Sequence, residues 1–355
     1  MQKIWFKITS NKSNPLYWPI LAFLWIISLF YRLGFSLKMR FTSATIRTKA
    51  AVVSVGNLTV GGTGKTPMVI ELARYFVLIG RKVGVVSSAY GRRHDKDIIG
   101  SGEELQSGSI FDLGDEVMVM AHALPEVSFG ISKSKSNAAR LLDNNNELDV
   151  IFVDDGFQHR RLHRDYDILL LEAGHDIRKD SVFPLGSLRE PVDSIGRADA
   201  VIFTKTNFSP IQMEYREWVS RIMQDKILAE VGYFNENAIS PDERLTIESL
   251  AERKVYFFAG IGGFDRLLNY LKTRFNNLAG HRQFPDHCSY PPSDAALIKN
   301  DIDKQGPEIV ITTYKDFVKL RNFDFGRKIY YLDLKLGFTN GEKELLKALE
   351  SVVNK

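Results

Sequence analysis

The sequence is poor in cysteine and in net charge, and both shortages exclude classes of protein. Its 355 residues include one cysteine, Cys288, so no disulfide can form within the chain and no CxxC pair offers a zinc site. Lys and Arg total 47 against 43 Asp and Glu, a net charge of +4. Nucleic-acid binding is not indicated, because this excess is small and basic residues are not interleaved with aromatic ones. The mild positive balance fits an anionic substrate or membrane, and equally an ordinary solvated surface.

Charge is also missing from a long stretch near the N-terminus. No charged residue occurs between Ser13 and Tyr31, where the run PLYWPILAFLWIISLFY is almost wholly apolar. A membrane-crossing helix needs about 20 such residues, so we predict an anchor over residues 1–34 that either spans the bilayer or lies in its interface. A cleaved signal peptide is disfavoured, because its apolar region is shorter and no small-residue cleavage motif follows. Basic residues are more frequent after the run than before it, which predicts a cytoplasmic body.

Behind this segment, short apolar runs alternate with helical patterns. Runs such as AVVSV at 51–55 are typical of strands buried on both faces of a parallel sheet. We therefore predict a doubly wound α/β domain over 35–227. A second, smaller α/β domain is predicted over 228–355, closing with a helix at 341–354.

The strongest local signal is SVGNLTVGGTGKTP at 54–67, a predicted strand, glycine-rich turn and helix start. Glycines let backbone N–H groups approach phosphate oxygens, and a helix N-terminus adds positive potential. Lys65 is expected to reach the β and γ phosphates of ATP, and the Thr66 hydroxyl to ligate Mg²⁺. The predicted nucleotide-binding residues are Thr59, Val60, Gly61, Gly62, Thr63, Gly64, Lys65 and Thr66. This is a variant phosphate loop, because the strict pattern would have glycine at position 59.

The second signal is the acidic pair in LDVIFVDDGFQHRRLHRD. Asp154 and Asp155 end an apolar run, and the carboxyl edge of a parallel sheet is where ligands bind. A carboxylate there can hold Mg²⁺ beside a phosphate loop, although acids also commonly end strands without any such role. His159 follows within one turn. The nearby arginines either face phosphate or lipid headgroups or form a solvated face.

Three further segments carry candidate catalytic groups. Asp115 opens a helical stretch and is either an N-cap or a base for the acceptor hydroxyl. We hypothesise that it pairs with His287 across a cleft between the domains, because a histidine partner can orient a carboxylate. Arg189, in PLGSLREP, suits a transferring phosphoryl group, although a structural ion pair is the commoner use of such an arginine.

Taken in order, the motifs VGNLTVGGTGKTP, GDE, DDGFQHRRLHRD, PLGSLREP, FPDHCSY and TTYKD, behind an apolar N-terminus, closely resemble the tetraacyldisaccharide 4′-kinase family of lipid A biosynthesis. The resemblance covers roughly residues 15–320. It implies a P-loop kinase of the bacterial inner membrane with its active site on the cytoplasmic face. The implied reaction is MgATP-dependent phosphorylation of the 4′-hydroxyl of an anionic acylated disaccharide lipid, with no nucleic acid and no obligatory protein partner.

The resemblance also assigns residues by matching position. It implies catalytic roles for the set Asp115, His287, Asp154, Asp155, Lys65 and Arg189, with Thr66, Asp154 and Asp155 at the metal. It implies substrate contacts for Tyr90, His159, Glu116 and Glu190. The chain departs from the family pattern at Ser88, where an arginine is usual, and at Cys288, which leaves substrate details such as the acyl pattern open.

Two other readings keep the phosphate loop. A membrane-associated partitioning ATPase would have a lysine where this chain has Val60, and its anchor would be C-terminal. A soluble-metabolite kinase would use the apolar N-terminus only as a structural helix.

Overall fold

The computed structural model describes residues 5, 8–9, 13–41, 46–88, 96–107, 113–286, 288–320 and 323–355. Its strands are β1 (Ala51–Asn57), β2 (Val83–Ser87), β3 (Ile98–Ser101), β4 (Ser128–Ile131), β5 (Val150–Asp154), β6 (Tyr166–Glu172), β7 (Ala200–Thr204), β8 (Ile227–Ile239), β9 (Arg244–Thr246), β10 (Val255–Ala259), β11 (Leu278–Gln283), β12 (Ile309–Thr313) and β13 (Ile329–Asn340). Within these ranges the α-helices are α1 (Trp18–Phe41), α2 (Lys65–Leu78), α3 (Gly102–Gln106), α4 (Asp115–Ala123), α5 (Lys135–Asn145), α6 (Met213–Met223), α7 (Phe264–Lys272), α8 (Pro292–Gln305), α9 (Tyr314–Leu320) and α10 (Glu342–Val353).

These strands form a single mixed sheet. Its order is β11-β10-β12-β13-β8-β7-β6-β1-β5-β2-β4-β3, with β9 beside β8. The strands from β8 to β4 in this order pair in parallel, and so do those from β11 to β13. The two parallel groups meet at the antiparallel pair β8/β13. This confirms the predicted α/β fold with a mostly parallel sheet.

The centre of the larger parallel group is buried on both faces, as its apolar runs predict. In β1, Val52, Val53 and Val55 are at most 1% exposed, and β5 is buried throughout. Helix α2 packs against one face of this group through Met68 and Phe76, both fully buried. Because α2 begins directly after β1, this packing fixes the direction in which the intervening glycine-rich loop must turn.

The C-terminal helix α10 packs against the core of the larger group. Leu345 and Leu349 are fully buried there, and the Tyr75 hydroxyl of α2 donates a hydrogen bond to Glu350. Strand β8 likewise pairs with β7 at its start and with β13 over most of its length. The division into 35–227 and 228–355 stays a prediction, and the last helix of the second segment contacts the core of the first.

Helix α1 lies against the body along one face only. Residues 15–37 are long and apolar enough to cross a membrane by length and composition, and only 6% of their most apolar window is buried. Ser28 is an exception, because it is 5% exposed and its hydroxyl donates to the carbonyl of Val182 at 2.9 Å. Tyr31, one turn later, donates to the carbonyl of Arg189 at 3.0 Å. Helix α1 is thus bonded to the body at Ser28 and Tyr31, while Phe30 between them is 70% exposed.

Candidate active site

The candidate site lies at the carboxyl edge of the larger parallel group. Strands β1, β5, β6 and β7 are neighbours or near neighbours and run in the same direction, so their C-terminal ends meet there. The glycine-rich loop follows β1, and the acidic pair closes β5. This is the edge at which open parallel sheets bind ligands.

The loop between β1 and α2 depends on glycine at two positions. Gly61 and Gly64 have φ values of 129° and 92°, a range that side chains rarely adopt. Gly64 is the N-cap of α2, and a Cβ there would overlap the hydroxyl oxygen of Tyr233, with its Cζ 3.3 Å away. The loop therefore brings backbone N–H groups to a helix N-terminus, the arrangement that binds phosphate.

Residues 182–189, called the strap below, run beside this loop. The Val60 N–H donates to the carbonyl of Ser187 at 2.7 Å, and the Arg189 N–H donates to the carbonyl of Leu58 at 2.7 Å. The same strap accepts the hydrogen bonds from α1. It therefore joins the N-terminal helix to the phosphate loop and brings the Arg189 side chain to the carboxyl edge.

Asp155 is surrounded by three cations. Nη1 of Arg189 lies 2.9 and 2.8 Å from its two oxygens, and Nζ of Lys65 lies 3.5 Å from Oδ1. The buried ammonium of Lys135 donates to the Asp155 carbonyl at 2.7 Å. Burial alone would raise the pKa of Asp155, but Lys65, Lys135 and Arg189 together hold it well below its usual range. Asp155 is therefore ionised at neutral pH and gathers positive charge at this edge.

Asp154 has the opposite environment. Burial raises its pKa to about 6, opposed by Lys135 and Lys65 and reinforced by Asp155 and Glu116. Its Oδ2 lies 3.4 Å from the Thr66 hydroxyl, and its Oδ1 is buried without a hydrogen-bond partner. A buried carboxylate oxygen without a partner beside a hydroxyl fits Mg²⁺. No cluster of three or more His, Cys, Asp or Glu residues exists among the described residues. Mg²⁺ is characteristically held by one or two protein ligands together with phosphates and water, so such a cluster is not required.

Asp115 lies where helix α4 contacts helix α9. It is the first residue of α4, after Gly114 as N-cap, so its own position is not the N-cap. Its Oδ2 accepts from Nζ of Lys319 on α9 at 2.6 Å, and Nζ of Lys315 lies 3.8 Å away. Lys319 also donates to the carbonyl of Cys288 at 2.9 Å. His287, the hypothesised partner of Asp115, lies outside the described residues, and so does Tyr90.

Other predicted residues are distributed differently. Glu190 is fully buried and pairs with Arg197 at 2.7 Å, so it does not join the acidic pair. His159 lies in the turn after Asp155, and the neighbouring Gln158 donates to the carbonyl of Asn57 at 2.8 Å. Arg164 pairs with Asp167 at 2.9 Å and donates to carbonyls of this turn, which makes it part of the scaffold.

Three residues of this edge were not predicted from sequence. Lys135 contacts the acidic pair from the start of α5, while Thr204 and Lys205 contact the phosphate loop from the end of β7. Lys135 follows the end of β4, and Thr204 and Lys205 lie at the end of β7. Polar residues after each strand of the parallel group were therefore the available signal, although none of the three belongs to a motif.

Comparison with known proteins agrees with this geometry. The family model described as tetraacyldisaccharide-1-P 4′-kinase (LpxK) matches residues 20–354. The chain belongs to this family. Curated tetraacyldisaccharide 4′-kinases include that of Geobacter metallireducens, 34% identical over 85% of this chain and 89% of the relative. That of Syntrophobacter fumaroxidans is 32% identical over 99% of this chain and 92% of the relative.

A solved structure supports the family assignment in three dimensions. LpxK from Aquifex aeolicus, crystallised in complex with ATP, is similar with a TM-score of 0.75 and 29% identity. The match covers 94% of this chain and 99% of that chain. The chain is therefore a tetraacyldisaccharide 4′-kinase, an ATP-dependent lipid kinase, and the resemblance inferred from its motifs is confirmed.

Proposed function

We propose that this kinase transfers the γ-phosphate of ATP to the 4′-hydroxyl of a tetraacyldisaccharide 1-phosphate at the carboxyl edge of β1 and β5. The observation that carries the proposal is the placement of Asp154, Asp155 and Arg189 beside a phosphate loop. A protein that only binds nucleotide would need the phosphate loop, but it would not need the buried acid Asp154 or the cations around Asp155. Phosphoryl transfer needs both, because catalysis is mainly positioning and neutralisation of charge.

The proposed roles follow from the contacts. Lys65, held within 3.5 Å of Asp155, is in place to meet the β and γ phosphates where they replace that carboxylate as its partner. Thr66 and Asp154 would hold Mg²⁺, which when bound supplies charge neutralisation on the phosphate oxygens. Arg189 adds a planar cation whose fork of N–H groups suits phosphoryl oxygens.

Asp115 is the proposed base for the acceptor hydroxyl. It stands at the start of α4, with two lysines of α9 against it. A carboxylate fixed in this way can accept a proton from a hydroxyl that reaches it as the oxygen attacks phosphorus. His287 is proposed as its partner, since it precedes Cys288, whose carbonyl shares Lys319 with Asp115. Glu116, His159 and Tyr90 remain proposed substrate-side residues, while Glu190 is buried against Arg197.

The test is a transfer assay. Purified protein, γ-labelled ATP, Mg²⁺ and tetraacyldisaccharide 1-phosphate in detergent micelles should place label in the lipid. Lys65→Ala should abolish transfer without changing the circular dichroism spectrum, while Lys82→Ala should retain it because Lys82 pairs only at the surface with Glu147. Label released as free phosphate, with none in the lipid, would replace the proposal with an ATPase that has no acceptor.

We further propose that α1 is seated in one leaflet of the inner membrane and does not cross it. Ser28 and Tyr31 are bonded to the strap, so the helix can be surrounded by lipid on all sides only over residues 18–27. Later apolar side chains such as Phe30, which is 70% exposed, would contact the membrane from one face of the helix. At 1.5 Å per residue, residues 18–27 span about 15 Å, half of the roughly 30 Å hydrocarbon core. Trp5, on the other side of the insertion, also donates to the strap at the Pro184 carbonyl, 2.7 Å away. Both ends of the apolar segment thus contact the same part of the body.

Protease protection distinguishes this insertion from a crossing. A short tag at the N-terminus should be cleaved in inside-out inner-membrane vesicles and protected in spheroplasts, on the same side as the catalytic body. Cleavage in intact spheroplasts would instead establish a crossing helix. Deleting residues 1–34 should release the protein from washed membranes, and retained binding would require another anchor.

A further inference from the structure

The end of β7 holds the back of the phosphate loop. The buried Thr204 hydroxyl donates to the carbonyl of Thr63 at 3.0 Å, and the ammonium of Lys205 donates to the carbonyl of Gly62 at 2.7 Å. Two consecutive side chains of one strand end thereby engage two consecutive carbonyls of the loop. No role in the proposed transfer has been given to either side chain.

Lys205 is itself held in place by several neighbours. Its φ of 61° is left-handed, a conformation that a non-glycine residue keeps only where its surroundings impose it. Its ammonium pairs with Glu172 at the end of β6 at 3.2 Å, and Glu172 is also paired with Arg266 of α7. Both the Lys205 and the Glu172 side chains are 14% exposed. The lysine is therefore a fixed part of the site.

The segment after Lys205 is fixed as firmly. The Asn207 amide donates to the carbonyl of Tyr233 at 2.6 Å, and the Tyr233 N–H donates back to the Asn207 side chain at 3.0 Å. These two hydrogen bonds attach the Asn207 side chain to the backbone of β8. Because Lys205 is only two residues before Asn207, its position is fixed by the sheet as well. Tyr233 is also the residue whose hydroxyl lies over Gly64 of the loop.

The contact has a direct electrostatic consequence. A phosphate loop binds through N–H groups, and a carbonyl turned toward the ligand would repel phosphate oxygens. The Lys205 ammonium holds the carbonyl of Gly62 and the Thr204 hydroxyl holds that of Thr63, which keeps the neighbouring N–H groups on the opposite side. The ammonium also lies close enough to Lys65 for their charges to interact, so it adds positive potential behind the loop.

We propose that Lys205 is a positioning residue for the phosphate loop, acting through the Gly62 carbonyl, with Glu172 holding its ammonium. The inference rests on the proposed nucleotide site but not on the acceptor or on Asp115. It assigns Lys205 to the triphosphate end of ATP, because its hydrogen bond is made to the loop. Arg266 of α7 pairs with the same Glu172, so the helix that follows β10 also contacts the Lys205–Glu172 pair.

The test compares Lys205→Met and Lys205→Arg with Lys226→Met in the full-length protein. Lys226 is a matched control, because its ammonium also donates to backbone carbonyls, those of Gly196 and Ala198, at the opposite end of β7. Dissociation constants for ATP, ADP and adenosine would be measured by calorimetry, and kcat and KM by the transfer assay.

Lys205→Met should weaken ATP and ADP binding roughly 10- to 100-fold, the loss expected for a hydrogen bond from a charged donor, and leave adenosine binding unchanged. KM for ATP should rise by a similar factor, KM for the lipid should stay the same, and Lys205→Arg should recover most of the loss. Lys226→Met should leave all of these constants at parental values.

Other outcomes overturn the inference. An equal loss for adenosine would make Lys205 a contact to the nucleoside, and unchanged ATP binding in Lys205→Met would leave the lysine with a structural role. If Lys65→Ala also leaves ATP binding unchanged, the proposed nucleotide site itself fails. A normal response to Lys65→Ala with none to Lys205→Met would remove this inference alone.

Discussion

Gly64→Ala tests how closely the phosphate loop is fitted to the sheet behind it. Gly64 and Gly263 are both helix N-caps, with nearly the same backbone angles, φ 92° and ψ 23° against φ 90° and ψ 24°. They differ in surroundings, because a Cβ at Gly64 would overlap the Tyr233 hydroxyl, whereas nothing lies within 4 Å of a Cβ at Gly263. Gly263→Ala is thus a control that carries the backbone cost alone.

The two substitutions should differ by the contact with Tyr233. Forcing alanine into a left-handed conformation costs about 1 to 2 kcal/mol at either site. Displacing a buried tyrosine adds about 1 to 3 kcal/mol at Gly64, the usual range for overpacking. Gly64→Ala should therefore lower the free energy of unfolding by about 2 to 5 kcal/mol, and Gly263→Ala by only the first amount.

A double substitution separates the two costs. Adding Tyr233→Phe to Gly64→Ala removes the overlapping oxygen and leaves Cζ at 3.3 Å, so most of the contact cost should be recovered. Urea denaturation followed by circular dichroism would give the unfolding free energies, and calorimetry the ATP affinity. The reasoning is refuted if Gly64→Ala and Gly263→Ala have the same stability and Tyr233→Phe recovers nothing.

Three further predictions concern the buried acid Asp154, the lysine that holds the proposed base, and the C-terminal helix α10. Burial raises the pKa of Asp154 in the folded protein to about 6. The free energy of unfolding of the parent should therefore fall as the pH rises from about 4 to 6, because the folded state then holds a proton that the unfolded state has lost. Asp154→Asn, measured by urea denaturation, should be more stable than the parent by up to roughly 3 kcal/mol at pH 7.5 and equal to it near pH 4, yet inactive in transfer. Equal stability at both pH values would contradict the burial argument. Lys319→Met should lower kcat roughly 10-fold or more with KM for ATP unchanged, since it holds Asp115 and the Cys288 carbonyl, and Lys319→Arg should recover part of the rate. An effect on ATP affinity alone would instead assign Lys319 to nucleotide binding. Leu349→Ala should cost about 2 to 4 kcal/mol in urea denaturation, and Leu346→Ala, which is only partly buried, should cost less. If Leu349→Ala lowered the free energy of unfolding as little as Leu346→Ala does, α10 would contribute little to the core of the larger parallel group.

Much of the larger half of the sheet could be predicted, because its strands are continuous apolar runs. The strand predicted at 51–55 is found as β1, and the helix start predicted after the glycine-rich turn is found as the start of α2 at Lys65. The glycine-rich loop was predicted with them, because glycine positions and a following helix start have a specific physical meaning.

The remaining elements carry weaker signals. Strand β8 has the sequence ILAEVGYFNENAI, in which charged residues, asparagine and glycine interrupt the apolar pattern. Most of this strand pairs antiparallel with β13 and lies outside the fully buried centre of the larger parallel group. Strand β11, LAGHRQ, is half exposed at the sheet edge. Helix α10 has an ordinary amphipathic pattern, and nothing in the pattern indicates that it packs beside α2, where Tyr75 and Glu350 are bonded across 275 positions.

The contacts of Lys205 and Lys135 illustrate why a site is only partly predictable. The hydrogen bond between Lys205 and Gly62 joins residues 143 positions apart, and that between Lys135 and Asp155 joins residues 20 apart across the sheet. Single lysines are frequent in any sequence. Their role arises only when sheet order brings the ends of β4, β5 and β7 to one edge.

The strap fixes the distance between helix α1 and the phosphate loop. It accepts hydrogen bonds from α1 at the carbonyls of Val182 and Arg189, and it is bonded through Ser187 and Arg189 to Val60 and Leu58 beside the phosphate loop. Few residues therefore separate α1 from the proposed nucleotide site. In the proposed insertion of α1 into one leaflet, the transferring phosphorus would stand at a constant level above the acyl boundary. A hydroxyl carried by a lipid headgroup at that level is presented repeatedly to the site, whereas the same hydroxyl on a free sugar arrives at every level and orientation. A kinase anchored in this proposed way would therefore discriminate among acceptors by their height above the membrane as well as by their chemical structure.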